Sequence, residues 1–552
     1  MTVVAPPVAT AIIAPVTTAP AVAATAITTP KIKNFTLCDF RAFAGPEPVT
    51  FNIDGKNLLI YGENGAGKSS VFHALDEFFS ASKPTAQARK KRLAELENIF
   101  PNPGKGKVSI EVTFEGDAAP VRWDDQGHPA DTKGYPAQPA DARVVNGAYR
   151  KAALDYRALL DTNYRHGNGA VNLFDVFVNV LLRDYPAAHN GKQERLFDLW
   201  RRMQPLPQMN RMTDADKTNI QALAKSFNDG MAEAIEALWP KANAILKDLK
   251  WEDVELSSLE FASVRFNWDR LRKNRRYLGC EITPKLKFRE KDLPTPQTFL
   301  NEARLSALAL AIYFGGRQIC AETLQADTPR LIILDDVLIG LDQSNRMPVL
   351  RMLDQHFADW QVVLLTHDRV WYEMARFHLA DRADWGAVEM FEEKQPDGTP
   401  MPITGVVRPF VKPTSIDAIA ANIATARKFH GVNEYPAAAV HARVAFELSL
   451  KKLCERKSIP VRFKADPREL NTEDLLSAIE TWLNSSKGSQ FKQHVEQDIK
   501  NVKQARKVVL NQFSHSTPVN LADVEVKSAI DAVEALQKAF KDHIPTKEAA
   551  VP

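Results

Sequence analysis

Gly62-Glu63-Asn64-Gly65-Ala66-Gly67-Lys68-Ser69 sets glycines, a lysine and a hydroxyl in the spacing G-x-x-x-x-G-K-[ST]. The chemistry open to such a stretch is to hold a chain of phosphates. Glycines let the backbone aim its N–H groups at phosphate oxygens, and a helix that starts at once adds a field favourable to anions. Lys68 would neutralise the β- and γ-phosphates, and Ser69 would ligate Mg²⁺ through its hydroxyl. Gly62, Asn64, Gly65, Gly67 and Ser70 complete the expected binding set for ATP.

A second cluster lies far downstream. The apolar run Leu331-Ile332-Ile333-Leu334 ends in Asp335-Asp336. A carboxylate at the tip of a parallel strand can reach a metal held beside a phosphate loop, so Asp335 is expected to hold Mg²⁺. Asp336 is expected to orient or deprotonate the attacking water. The positioning elements follow from the flanks. Leu58-Leu59-Ile60-Tyr61 reads as a buried strand before the loop, and Ser70 to Leu75 as the start of a helix after it. Gly340-Leu341-Asp342 and Arg346 follow the acidic pair, and a further strand, Val362 to Leu365, ends in Thr366-His367-Asp368.

This order resembles the ABC-type ATPases, above all their SMC/RecF branch, whose heads bind DNA rather than forming transporters. The resemblance implies an α/β fold: an ABC-type P-loop NTPase head. It makes Asp342 the D-loop residue and His367 the switch histidine that senses the γ-phosphate beside the catalytic Asp336. It also implies a signature helix, for which Phe299 to Ala311 is the candidate; Asn301 and Ala303 stand where the family has Ser and Gly, with Glu302 between them. Asn301 can still cap a helix, and the N–H groups there would meet the γ-phosphate of a nucleotide held by another subunit. A homodimer or higher homo-oligomer closed by ATP sandwiching is therefore expected. Phe40-Arg41-Ala42-Phe43, within a first β-hairpin or meander, resembles the branch's opening phrase and puts Arg41 near the nucleotide; a surface arginine flanked by core phenylalanines is the plain alternative.

With 552 residues the chain suits two or three domains. A net charge of +3 gives no overall nucleic-acid signal, but Arg89 to Arg92 and Arg270 to Arg276 are local basic runs that could meet DNA or RNA phosphates. The four cysteines are scattered, with no Cys-x-x-Cys pair, which points away from zinc and disulfides and toward a reducing cytoplasm. Residues 1–30 form an Ala/Thr/Val/Pro tract without a basic leader and broken by prolines, expected to be a disordered extension. No breaker-free apolar stretch is long enough to cross a membrane.

The head is expected over residues 31–410, with an insert of about 70–298 between the loop and the signature. No heptad is sustained there. Asp214 to Lys250 reads as one amphipathic helix or hairpin arm, Val108 to Phe114 as a strand, and Asp155 to Tyr164 and Leu173 to Leu182 as helices. No residue is assigned to the class's Q-loop. A linker bearing Pro402, Gly405, Pro409 and Pro413 leads to an all-α module over 411–552, with helices at Tyr435 to Arg456, Thr472 to Leu483, Phe491 to Asn511 and Leu521 to Phe540.

That outline resembles a HEPN domain, the helical fold of many prokaryotic defence ribonucleases. The residues that would carry RNA cleavage are Arg443 and Glu447, four apart on one helix face, with Arg506, Asn511 and His515 near a helix end. Eight residues separate Arg506 from His515, more than the family's usual spacing. A docking or dimerising bundle is the alternative, and an Arg–Glu pair on a helix is commonly a surface ion pair. Head and tail together resemble prokaryotic antiviral ATPases that sense nucleic acid or phage proteins and control a nuclease or toxin effector. A DNA-repair ATPase of the RecF kind and an ATP-gated ribonuclease remain the other readings.

Overall fold

The computed structural model describes residues 29–45, 47–80, 86–100, 108–125, 127–129, 140–147, 152–155, 172–210, 212–294, 299–322, 328–338, 341, 343–394, 399, 408–462, 464, 470–506 and 523–544. The expected N-terminal extension lies outside them but for its last two residues.

The head is built on a six-stranded sheet. Its strands are β3 (Asn57–Gly62), β6 (Ala152–Asp155), β14 (Leu331–Asp335), β15 (Gln361–Thr366), β16 (Trp385–Glu392) and β17 (Pro409–Thr414), in the spatial order β17-β16-β3-β15-β14-β6. All pairings are parallel except β16 with β17. Central strands of such a sheet are buried on both faces, which is why β14 and β15 read as unbroken apolar runs. The faces divide by the strand period of two. Leu59, Tyr61, Ile332, Leu334, Val362 and Leu364 join the core on the insert side. Leu58, Ile60, Leu331, Ile333, Val363 and Leu365 join the other. That second layer holds α1 (Lys68–Phe78) and a four-stranded antiparallel sheet of β1 (Ile32–Cys38), β2 (Val49–Asn52), β4 (Ser109–Phe114) and β5 (Val121–Trp123), ordered β2-β1-β4-β5. The expected hairpin before the loop is thus β1 with β2.

The insert folds down onto the head. A single helix over Asp214–Asp248, begun by a capping box at Thr213 and Asp216, runs about 50 Å. It packs along the helix Glu302–Glu322, where Gly315 lets the Ala242 backbone come close. On its other side the hairpin of β7 (Pro186–His189) and β8 (Lys192–Arg195) rests on Gly230. The three strands β9 (Val254–Ala262), β12 (Glu281–Phe288) and β13 (Lys291–Leu293) form a further sheet, and β10 (Arg265–Asn267) pairs with β11 (Arg276–Leu278) as a projecting ribbon. One continuous core joins this insert to the main sheet.

Three sequence expectations change. Asp155 ends a strand instead of opening a helix; residues 156–171 lie outside the described part. Pro409 and Pro413 belong not to a linker but to β17, an edge strand whose outer side needs no N–H donors. Among the described residues the tail holds five helices where about four were expected: Ala418–Gly431 precedes Tyr435–Arg456, Thr472–Leu483, Ser489–Ala505 and Asp523–His543. These share a core of their own around Phe446, Leu450, Ile479, Val495 and Val533. Asp417 caps the first of them through the N–H groups of Ile419 and Ala420 and pairs with Lys541 of the last at 2.7 Å.

Gly230 sits inside the long helix, where a Cβ would stand 2.4 Å from the Ala187 Cβ. Gly-to-Ala gains about 1 kcal/mol in helix propensity, whereas overpacking costs about 1–3 kcal/mol. The clash wins: Gly230→Ala should lower the unfolding midpoint in urea, and a raised midpoint would refute this packing.

Candidate nucleotide site

Strand register builds the site. Tyr61 is level with Thr366, Leu365 with Asp335, and Asp335 with Asp155. The residues just past these positions, Gly62, His367 and Asp336, therefore gather at the carboxyl edge of one sheet, where open α/β sheets bind ligands. The strand bearing His367 lies between the loop strand and the acidic strand. That order joins loop, histidine and carboxylates from positions some 300 residues apart in sequence.

The loop has the conformation its glycines allow. Gly65 and Gly67 take φ of 92° and 93°, a region closed to most side chains. A Cβ on Gly67 would also meet Pro409 Cγ at 2.8 Å, so the edge strand braces the loop from outside. Lys68 is 5% exposed. Its ammonium donates to the carbonyls of Gly62 at 2.7 Å and Glu63 at 3.2 Å and stands 4.0 Å from Asp336 Oδ2. Burial pulls its pKa down, and the two aspartates oppose that.

Asp336 is the most constrained residue here. It has a φ of 55°, uncommon for a residue with a side chain. Its Oδ1 accepts from the His367 backbone N–H and meets His367 Nδ1, both at 2.9 Å. Its own N–H donates to the Leu365 carbonyl. The ring of His367 is thereby tied by Nδ1, which leaves Nε2 for a ligand. A cavity of about 70 Å³ adjoins the pair, lined also by Arg346, Thr366 and Asp368. Arg346 pairs with Asp368, which caps the following helix at the Trp371 N–H.

Asp335 is 4% exposed. Among the described residues its Oδ1 finds no hydrogen-bond partner, while the carboxyl also meets the Ser69 hydroxyl. Burial pushes its pKa up to about 6 against the pull of Ser69 and Lys68. Asp336 and Asp155 push it the same way. A buried, under-satisfied oxygen beside a hydroxyl suits a hard cation. Among the described residues no three His, Cys, Asp or Glu side chains form a ready-made cage.

The remaining sequence candidates fall in several places. Ser70 is buried and its hydroxyl accepts from the Ala42 N–H at 3.3 Å, tying the Arg41 segment to α1. Arg41 itself has a φ of 50° and lies close enough to His73 of α1 to lower that residue's pKa, after burial the largest cause. Asn64 is exposed on the loop. Asn301 does cap its helix, accepting from the Arg304 N–H at 3.0 Å; with Glu302 it faces solvent next to the insert, where Arg304 pairs with Asp253 at 2.7 Å. Asp342 lies outside the described residues. Two contributors were not foreseen. Asp155 joins the acidic edge through its register with Asp335, and Pro409 braces Gly67; both sit on strands that local sequence did not reveal.

In the tail, Arg443 and Glu447 pair at 3.0 Å. Glu447 accepts from Thr472, and Arg506 pairs with Glu473, so both candidate groups meet at the start of the Thr472–Leu483 helix. Asn511 and His515 lie outside the described residues. The basic run at Arg270 to Arg276 divides. Arg275 is buried and donates to the carbonyls of Asp269 and Met209, while Arg270, Lys273 and Arg276 are exposed beside an exposed Trp268. In the other run, Arg92 pairs with the buried Glu77.

The fold and this site define the head as a P-loop ATPase fold, α/β, followed by a helical bundle. A family model described as an AAA domain matches residues 34–165. No curated protein matches the chain. Among solved structures it is similar to RecF bound to ATP, from the RecFOR pathway, at 14% identity over 66% of this chain and 96% of that one, with a TM-score of 0.40. It is also similar to an Smc head domain from Pyrococcus furiosus bound to the C-terminal domain of ScpA, at 12% over 70% and 97%, TM-score 0.37. An SMC head domain from Thermotoga maritima matches at 13% over 70% and 99%, TM-score 0.27. Similarity this low carries no functional argument. Among the described residues no helix is long and apolar enough to cross a membrane.

The raised pKa of Asp335 has a consequence for stability. The folded protein without metal or nucleotide holds this proton more tightly than the unfolded chain. Its contribution therefore favours folding at low pH and is lost as pH rises from about 4 through about 6. Asp335→Asn should raise the apo protein's stability in EDTA at pH 7.5, by on the order of 2 kcal/mol, and the gain should vanish at pH 4. A lower melting temperature for the variant at pH 7.5 would contradict the burial argument.

Proposed function

We propose that the head binds Mg-ATP and hydrolyses it, and that the nucleotide closes two heads into a dimer. The observation that carries the reading is the meeting of Lys68, Ser69, Asp335, Asp336 and His367 at one sheet edge. The loop N–H groups and Lys68 bind the phosphates. Ser69 and Asp335 would hold Mg²⁺, which when bound offsets charge on the phosphate oxygens. Asp336 takes a proton from the water that attacks the γ-phosphorus, and ADP leaves with its new charge beside Lys68. His367, fixed through Nδ1, presents Nε2 toward the same space. Arg41 and Asp342 complete the nucleotide's surroundings, with Asn301 and Glu302 of a second subunit capping the γ-phosphate.

The biological role we assign to this switch is antiphage defence in the cytoplasm: a sensor that controls a nuclease or toxin effector. A compact insert instead of a long tether, together with a helical tail, supports that reading. A second reading, a DNA-repair ATPase, is favoured by the exposed Arg270, Lys273 and Arg276 beside Trp268, a surface suited to phosphates. A third, RNA cleavage by the tail, draws on the convergence of Arg443, Glu447 and Arg506.

ATP hydrolysis by the purified protein should fall at least 100-fold in Lys68→Ala and in Asp336→Asn. Asp336→Asn should still bind ATP and accumulate as dimer in light scattering, whereas Lys68→Ala should stay monomeric. Equal turnover in all three proteins would end the proposal.

In cells challenged with phage, protection should disappear in Lys68→Ala. Its loss in His515→Ala as well would assign the effector to the tail. ATP-dependent DNA binding without any change in phage yield would favour repair.

A further inference from the structure

The insert displays a surface that the nucleotide site does not use: the ribbon of β10 and β11 with the turn between them. From Arg265 to Leu278 stand six arginines and lysines and one acid, Asp269. The ribbon has two unlike sides, set by the strand period. Phe266 and Tyr277 pair across it and face inward. Their rings lie 5.7 Å apart, Tyr277 meets Trp200 at 5.6 Å, and its hydroxyl donates to the Met203 carbonyl. Arg265 with Leu278, and Asn267 with Arg276, pair on the outward side.

The turn is held in shape from within. Arg275 is buried, and its guanidinium donates to the carbonyls of Asp269 at 2.8 Å, Met209 at 3.0 Å and Arg270 at 3.5 Å. The Asp269 carboxylate accepts from the Leu271 N–H at 2.6 Å, and Arg272 donates to Gln208 and Asn210. Four cations are left over. Arg265, Arg270, Lys273 and Arg276 are exposed, and among the described residues the side chain of none has an ion-pair or hydrogen-bond partner. Like charges gathered on a rigid ribbon repel one another, and a polyanion would relieve that repulsion.

Apolar groups stand among these charges. Trp268 is 49% exposed, Leu271 57% and Leu278 38%. The Lys217 ammonium covers one face of the indole, 4.9 Å from the ring centroid. No aromatic ring among the described residues covers the other, and about half of Trp268 stays in water. Duplex nucleic acid turns its phosphates outward and hides its base faces, so it would leave these three side chains in water. An acidic peptide would leave the indole unused. A bilayer would need the apolar groups on a face without cations, and Leu278 stands opposite Arg265. A single strand offers phosphates and bare base faces together.

We propose that the β10–β11 ribbon binds single-stranded nucleic acid, with phosphates along Arg265, Arg270, Lys273 and Arg276 and a base on the open face of Trp268. Single-stranded DNA and single-stranded RNA share this chemistry. The proposal rests on the surface that favours the second reading above and names its ligand; the ATP chemistry of the head is not involved.

The test uses the full chain carrying Lys68→Ala, so that the phosphate loop does not obscure the signal. Fluorescein-labelled oligothymidylate, oligouridylate and a DNA duplex of the same length are titrated by fluorescence anisotropy. At least one single strand should bind more tightly than the duplex, and the tighter of the two assigns DNA or RNA as the source. Arg270→Gln/Lys273→Gln/Arg276→Gln should weaken that binding about tenfold or more and lower the slope of log affinity against log salt by about 2. All three side chains are exposed, so the melting temperature should not change. Trp268→Ala should weaken binding about 5-fold or more, and Trp268→Phe should restore most of it. These readouts do not depend on whether the protein serves repair or defence, so the ligand and the role are decided separately. Equal or tighter binding of the duplex, a silent Trp268→Ala, affinity indifferent to the triple substitution, or no binding of either strand, with or without binding of phosphatidylserine vesicles, would each overturn the proposal.

Discussion

A carboxylate removed from water and left under-satisfied is the constraint around which the head is arranged. Asp335 has a pKa near 6 because burial outweighs Ser69 and Lys68, and one of its oxygens has no hydrogen-bond partner among the described residues. Strongly perturbed, under-satisfied carboxylates cluster at functional sites. The register of four parallel strands brings Asp155, Asp335, Asp336, His367 and Gly62 to one edge. Lys68 answers the negative charge from below, yet it is itself held by loop carbonyls and stops 4.0 Å short of Asp336. The edge thus sets three carboxylates, Asp155, Asp335 and Asp336, near the single ammonium of Lys68.

The same edge is mechanically continuous with the tail. Pro409 stands over Gly67 of the phosphate loop, and β17 runs from there to Thr414. The next residues are already fixed. The Ser415 carbonyl accepts from Arg376, and Asp417 caps the first tail helix while pairing with the last. Arg376 also lies 4.0 Å from the buried Glu389 of β16, which pairs with Arg369 at 3.3 Å; Arg369 stacks over Tyr61 at the end of the loop strand. A six-residue strand and this buried ionic cluster therefore separate the phosphate loop from the bundle. Lys452 of the bundle adds a direct pair to Asp381 of the head at 2.9 Å.

How much of this was legible in the sequence follows from the range of the forces involved. Local chemistry specified the phosphate loop, whose glycines are required by backbone angles, and the buried strands β14 and β15, whose apolar runs have no other stable place. It specified the tail helices Tyr435–Arg456 and Thr472–Leu483 to their ends, because Pro436 and the Asn471–Asp474 capping box mark where those helices start. Ala152–Asp155 was not legible. Four residues carry too little pattern, and the segment is a strand only because β14 pairs with it. Pro409–Thr414 read as a linker because prolines oppose pairing everywhere except at a sheet edge, and edge position is decided by the rest of the sheet.

The sequence by itself thus determined the glycine-rich loop and the acidic pair that ends a buried strand, since those depend on side-chain type and on spacing within a few residues. Only the tertiary structure decided that Asp335 would be buried without full compensation and that His367 would be locked to Asp336. It alone laid the insert along the head. Strand order, register and helix packing are properties of the assembled core, and no stretch of neighbouring residues contains them.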